Sequence, residues 1–163
     1  MVSAYLGEIG ISKTIKRLFA HYIKVMNTAI RYYSKFGHSK QMAEAIENIV
    51  GAKAATVDTP LAEHVDTLYL GAGVFLGKVN GAVMDFIASL TPDKVGKVVC
   101  FGSCAIINSP VPQMRKALEA RGITVSTQEF TCKGSMGPLH SGHPDAQDIE
   151  AFKKFVQSTI SSR

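Results

Sequence analysis

Ten residues, Ile30 to Ser39 (IRYYSKFGHS), bring together the residue types that hold an anion. An apolar, aromatic run of Ile30, Tyr32 and Tyr33 gives way to Ser34, Lys35, Phe36, Gly37, His38 and Ser39, and a helical pattern of Met42, Ala45, Ile46 and Ile49 begins at once. A strand that passes through a short hydroxyl-bearing loop into a helix N-terminus presents unpaired backbone N–H groups and the positive end of a helix dipole. The dipole alone is worth roughly 0.3 to 2 kcal/mol to a phosphate. The stretch reads as a phosphate-binding loop. Two later stretches carry candidate groups of other kinds. GAGVFLGK (71–78) is glycine-rich around one ring, Phe75, so that backbone can approach a flat ligand while the ring covers a face. GSCAIINSP (102–110) offers Ser103, Cys104 and backbone groups but no aromatic.

Sharper motifs fail on physical requirements. Gly71, Gly73 and Gly77 are spaced like a dinucleotide loop, but the acidic residue expected about 20 positions on is missing, because the next strand ends in Cys100, Phe101 and Gly102. Gly77 and Lys78 imitate a nucleotide P-loop, yet Val79 stands where a hydroxyl must hold magnesium. There is no nucleophile elbow, and His38, His140 and His143 lack metal-ligand spacing. No residue is assigned a catalytic or metal-binding role.

The elements that must position these loops alternate along the chain. Strands are expected at 28–33, 52–57, 67–70, 97–101 and 124–130, and helices at 38–50, 79–90, 112–121 and 146–160. Gly51, Pro92 and Gly122 mark turns. Five strands joined by short crossovers require a parallel sheet covered by helices on both faces. Open sheets of this kind bind ligands beyond the carboxyl ends of their strands, which is where all three candidate stretches fall.

Composition limits the alternatives. Three cysteines, Cys100, Cys104 and Cys132, contain no CxxC pair, which argues against a disulfide framework and for a reducing, cytoplasmic setting. No apolar run approaches the roughly 18 residues of a membrane span. The formal charge is +5, of which residues 1–25 hold +3 through Lys13, Lys16, Arg17 and Lys24 against Glu8. The remainder, near +2, shows no basic cluster interleaved with aromatics, so no nucleic-acid partner is expected. Residues 1–25 form a basic extension in which Ile15, Leu18, Phe19, Tyr22 and Met26 follow helical spacing behind Ser12 as N-cap. Such a helix suits weak contact with a membrane surface through residues 12–25. Equally, Met26 could be the natural start and residues 26–163 the whole protein.

The sequence resembles the flavodoxin family, as a short-chain member, over about residues 29–156. YYSKFGHSKQMAEAI is similar to that family's FMN-phosphate loop, GAGVFLGKVNGAVMDFI to its second flavin loop and following helix, and FTCKGSMGPLHSGHPDAQDIEAFKKFV to its carboxyl-terminal segment. The resemblance implies a doubly wound five-stranded parallel sheet in the order 2-1-3-4-5, the order for which flavodoxin is itself the standard example. It implies FMN, with Ser34, Gly37 and Ser39 on the phosphate and Lys35, Phe36 and His38 lending backbone N–H groups. Phe75 would pack on the isoalloxazine, bordered by Gly73, Val74, Leu76 and Gly77 and by Gly102, Ser103 and Cys104. A redox-linked peptide flip would fall at Leu76–Gly77. The chain departs from the family in Phe36, where a hydroxyl is usual, in Ile106 and Ile107, where a second aromatic is usual, and in its weak positive charge. The implied function is electron transfer between a reductase and an acceptor protein. The alternatives are an FMN-dependent NAD(P)H or quinone oxidoreductase and a non-flavin interaction domain.

Overall fold

The computed structural model describes residues 12–15, 17, 18, 21, 27–106 and 109–162. Strand β1 (Thr28–Tyr32) leads to helices α1 (His38–Ala45) and α2 (Glu47–Val50), β2 (Ala54–Thr56), β3 (Val65–Phe75) and β4 (Lys78–Val79). Helix α3 (Gly81–Ser89), β5 (Val95–Cys104), α4 (Val111–Glu119), β6 (Phe130–Lys133) and α5 (Ala146–Ser161) complete the chain. The sheet order is β2-β1-β3-β5-β6, all parallel. Short β4 folds back antiparallel on the end of β3 and lies off this path. Leaving β4 out of the count gives the expected order 2-1-3-4-5.

The central strands bury both faces, as parallel strands between two helical layers must. On one face Leu68 and Leu70 of β3 and Val98 and Cys100 of β5 meet Val83, Phe86 and Ile87 of α3 and Met114 and Leu118 of α4. On the other, Tyr69, Val99 and Phe101 meet Met42 of α1 and Phe152 and Val156 of α5. Neighbours along a strand therefore belong to opposite cores, the period of two that a pleated backbone imposes. Tyr69 is fully buried and places its hydroxyl 2.8 Å from Thr159 Oγ1, so no polar atom there is stranded.

Four expectations are corrected. The helix expected over 38–50 is interrupted at Ile46, whose φ of −103° and ψ of −2° leave helical geometry. Strand β3 runs five residues past its expected end, to Phe75, because Gly71 to Cys104 of β3 and β5 stay in register above the core. The helix expected from residue 79 starts at Gly81, capped by the Asn80 side chain, because Lys78 and Val79 are taken by the hairpin. The last strand, expected at 124–130, lies at Phe130–Lys133; only Val125 bridges to Val98 earlier. Between them Ser126 turns the chain aside: its Oγ accepts from Gln128 N–H and its carbonyl accepts from Arg115 Nη2.

Lys13, Thr14, Ile15, Arg17, Leu18 and His21 are helical, and Ile15 N–H donates to Ser12 Oγ, the expected cap. Phe19, Tyr22, Met26, Ile107 and Asn108 fall outside the described residues. Among the described residues no helix is long and apolar enough to cross a membrane.

Candidate functional site

Loops at the carboxyl ends of β1, β3, β5 and β6 enclose a cavity of about 300 Å³, within the range of small-molecule sites. Its floor is the junction of β1 and α1. Gly37 is the N-cap of α1 with φ +89°, no side chain caps that terminus, and no acidic residue stands in the first turn. The first N–H groups of a helix have no partner inside it, so this end is left open. Ser34 Oγ is buried and has no hydrogen-bond partner. Ser39 is 2 % exposed and lines the same space. A buried hydroxyl without a partner costs about 1–3 kcal/mol; a ligand oxygen would recover it.

His38 also lines the cavity, with Nε2 3.0 Å from Ser135 Oγ. Burial lowers its pKa, favouring the neutral ring. Gly134 makes this approach possible: a Cβ there would lie 2.8 Å from His38 Nδ1 and 3.1 Å from Ser103 Oγ. Ser34, Ser39, Ser103 and Ser135 thus give the cavity four hydroxyls drawn from three strand ends and a helix start. Among the described residues no carboxylate lines it.

The opposite wall belongs to the β3–β4 hairpin. Phe75 and Lys78 pair across a two-residue turn, Leu76–Gly77, with φ of +50° and +77°. Positive φ at both positions defines the tight turn whose twist suits a hairpin, and glycine takes the second without strain. Gln113 of α4 grips this turn with both ends of its amide: Nε2 donates to Gly77 O at 2.8 Å, and Oε1 accepts from Val79 N–H at 3.1 Å. Phe75 lines the cavity. Phe36 lies 6.0 Å from it, ring centre to ring centre, and is 54 % exposed. Phe36 is therefore part of the mouth, and no hydroxyl replaces it in the floor. The Lys35 ammonium sits 3.6 Å from the Phe75 ring centre, in cation–π range.

Of the sequence-derived site residues, Ser34, Lys35, Phe36, His38, Ser39, Gly73, Val74, Phe75 and Ser103 line the cavity. Gly37 shapes the floor from beneath; Leu76 and Gly77 form the exposed turn beyond the wall. Gly102 and Cys104 flank Ser103 without lining the cavity. A Cβ on Gly102 would lie 2.1 Å from Ala72 O, so its role is close packing of β5 on β3. Cys104 Sγ points at Cys132 O, 3.9 Å away, and burial raises its thiol pKa. Cys132 and Cys100, buried, are both pushed up to about 12. Thiols held protonated in this way are poor nucleophiles.

The sequence reading missed Tyr33, Lys78, Val79, Asn80, Ala105, Gly134, Ser135 and Met136 in the lining. The last three follow β6 directly. Once that strand ends at Lys133 the rule of carboxyl ends selects them; an end at Phe130 directs attention to the wrong residues. His143, Asp145 and Asp148 were also not foreseen as a group, although their ligand atoms lie within 4.8 Å of one another. Their contacts are those of a helix cap: Asp145 Oδ1 accepts from Gln147 and Asp148 N–H, while Asp148 Oδ2 accepts from Asp145 N–H and lies 2.6 Å from His143 Nδ1.

An open helix terminus beneath a hydroxyl-lined, aromatic-walled cavity thus lies at the carboxyl edge of a doubly wound sheet, the edge at which α/β proteins of this class bind their ligands. The pattern of the flavodoxin domain matches residues 29–137, and the chain belongs to the flavodoxin family. Among curated proteins none matches it significantly by sequence. A flavodoxin from the domain Archaea superimposes with a TM-score of 0.66 at 21 % identity, over 84 % of this chain and 98 % of its own. Two-electron reduced Megasphaera elsdenii flavodoxin gives 0.51 at 20 %, over 78 % and 98 %. A Lactobacillus acidophilus flavoprotein in complex with FMN gives 0.55 at 16 %, over 67 % and 93 %.

Proposed function

We propose that this protein binds FMN and transfers electrons through it. The observation that carries the reading is the buried, unpartnered Ser34 hydroxyl at the uncapped N-terminus of α1. Ser34 and Ser39 would hold the phosphate together with N–H groups of Lys35 to Ser39, and the α1 dipole would favour its charge. Phe75 would cover one ring face, and Gln113 holds the hairpin that carries it. The cation of Lys35 and the absence of carboxylates from the lining would favour negative charge on the ring system. Bound FMN supplies one- and two-electron chemistry; the chain's residues position it and set its electrostatics.

The experiment is reconstitution: the apoprotein titrated with FMN, riboflavin and inorganic phosphate, followed by flavin fluorescence and visible absorbance. FMN should bind at micromolar concentration or below, and riboflavin at least tenfold more weakly. Failure to bind FMN at that concentration ends the proposal.

One observation favours the oxidoreductase alternative. The β5 loop contributes Ser103 and Ala105 to the described lining and no ring, which leaves room for a substrate beside the cofactor. NAD(P)H oxidation with a quinone acceptor and no added reductase would support that alternative; inertness would leave the carrier.

A further inference from the structure

We propose that the cavity mouth docks an acidic redox protein, an inference that rests on the FMN reading above. Phe36, Phe75, Leu76, Ile106 and Leu139 are all exposed, Leu76 to 84 % and Ile106 to 66 %. They stand at or just beyond the carboxyl ends of β1, β3, β5 and β6, all on one edge of the sheet. Elsewhere among the described residues only Ile15 and Leu18 are large, apolar and exposed. Single exposed apolar residues are ordinary; a set gathered round one opening marks an interaction surface.

Charge selects the partner. Lys35 and Lys78 are the charged residues of the lining, and neither belongs to an ion pair among the described residues. The neighbouring carboxylates of Asp145 and Asp148 are engaged in the α5 cap and with His143. An apolar centre with unpaired lysines complements an apolar centre ringed by carboxylates, and such potentials govern the encounter rate. A second copy would bring lysine against lysine. An acidic partner seated here would meet the exposed edge of the cofactor.

The test uses the FMN-loaded full chain, reduced by two electrons and mixed with ferric cytochrome c in two forms. One form is native and lysine-rich. In the other, succinylation has turned lysine ammonium groups into carboxylates. Each reduced flavin, as the anion deprotonated at N1, passes one electron to each of two haem irons and loses its N5 proton to solvent. Visible absorbance fixes the flavin content of every variant, and rates are taken per bound flavin, so loss of flavin is read separately from loss of docking. At low ionic strength the succinylated form should react about tenfold faster than the native form. The difference should close near 1 M salt, where the screening length is about 3 Å. Lys35→Glu with Lys78→Glu should reverse the order. Leu76→Asn, which tolerates the positive φ, should slow both forms at every salt concentration. Equal rates, or a faster native form, overturn the proposal. So does a dimer dispersed by Leu76→Asn, which would assign the rim to a second copy. Sedimentation with phosphatidylserine vesicles that charge reversal abolishes would assign it to a lipid surface instead.

Discussion

Helices α1 and α5 both begin at the carboxyl edge of the sheet, and their first turns are finished in opposite ways. At α5 the protein satisfies its own terminus: Asp145 caps the first N–H groups, Asp148 reaches back to Asp145 N–H, and His143 closes on Asp148. At α1 the cap is Gly37, with no side-chain bond and no acidic residue in the first turn, and a buried serine hydroxyl beside it is left unpaired. The same backbone physics operates at both ends. One terminus is closed by the chain's own side chains; the other leaves its donors without a side-chain partner.

The largest effect should come from making α1 resemble α5. Gly37→Asp meets nothing within 4 Å of its Cβ, but the φ of +89° strains any side chain there, so the apoprotein should lose some stability as well. Its carboxylate would stand beside the open N-terminus of α1 and repel the phosphate of the proposed ligand. FMN affinity measured by fluorescence titration should fall about a hundredfold, near 2.7 kcal/mol. Ser34→Ala comes next, with FMN binding weakened about tenfold while the apoprotein becomes no less stable, because the lost hydroxyl had no partner to lose. Chemical denaturation with and without FMN separates the two effects. Opening α5 should do the reverse. Asp145→Ala should cost about 1 kcal/mol of folding stability and leave FMN affinity within about twofold.

The smallest effect is a difference in pH response. Burial depresses the His38 pKa, so the unfolded chain binds its proton first. The stability tied to His38 is complete above about pH 6.5 and is lost as the pH falls through the folded value. At Asp148 burial raises the pKa, but the hydrogen bonds from His143 and Asp145 N–H and the nearby charges of His143 and Lys133 outweigh it, and the net shift is downward. Its contribution persists above about pH 4 and disappears only as the pH falls through the depressed value. Thermal unfolding from pH 7 to 5 should therefore lose part of its pH dependence in His38→Gln and keep it in Asp148→Asn.

The sheet order followed from the resemblance to the flavodoxin family; the α/β alternation and the β1–α1 junction were legible because they depend on local period and on a strand–loop–helix pattern that short segments spell out. The other walls were not. Both Ile123 to Val125 and Phe130 to Cys132 can be read as strand, and what decides between them is a tertiary contact, Arg115 holding Ser126 O from another element. Val79 and Asn80 looked like the start of a helix, since nothing local announces that Val79 will pair with Val74. Phe36 stood out in the sequence as a departure from the family's pattern. Only the packed structure shows that its ring joins Phe75 at the mouth, leaving the floor to Ser34 and Ser39.

Gln113 sets a limit on how this chain can vary. Its position must accept a hydrogen bond from Val79 N–H and donate one to Gly77 O at the same time. Glutamate has no N–H to give, lysine has no lone pair to offer, and asparagine is one methylene shorter. The geometry of an exposed turn is thus tied to a single side chain 36 positions away in the sequence from Gly77. Descendants of this sequence that change the helix residue must find another pair of hydrogen bonds to hold the turn in place.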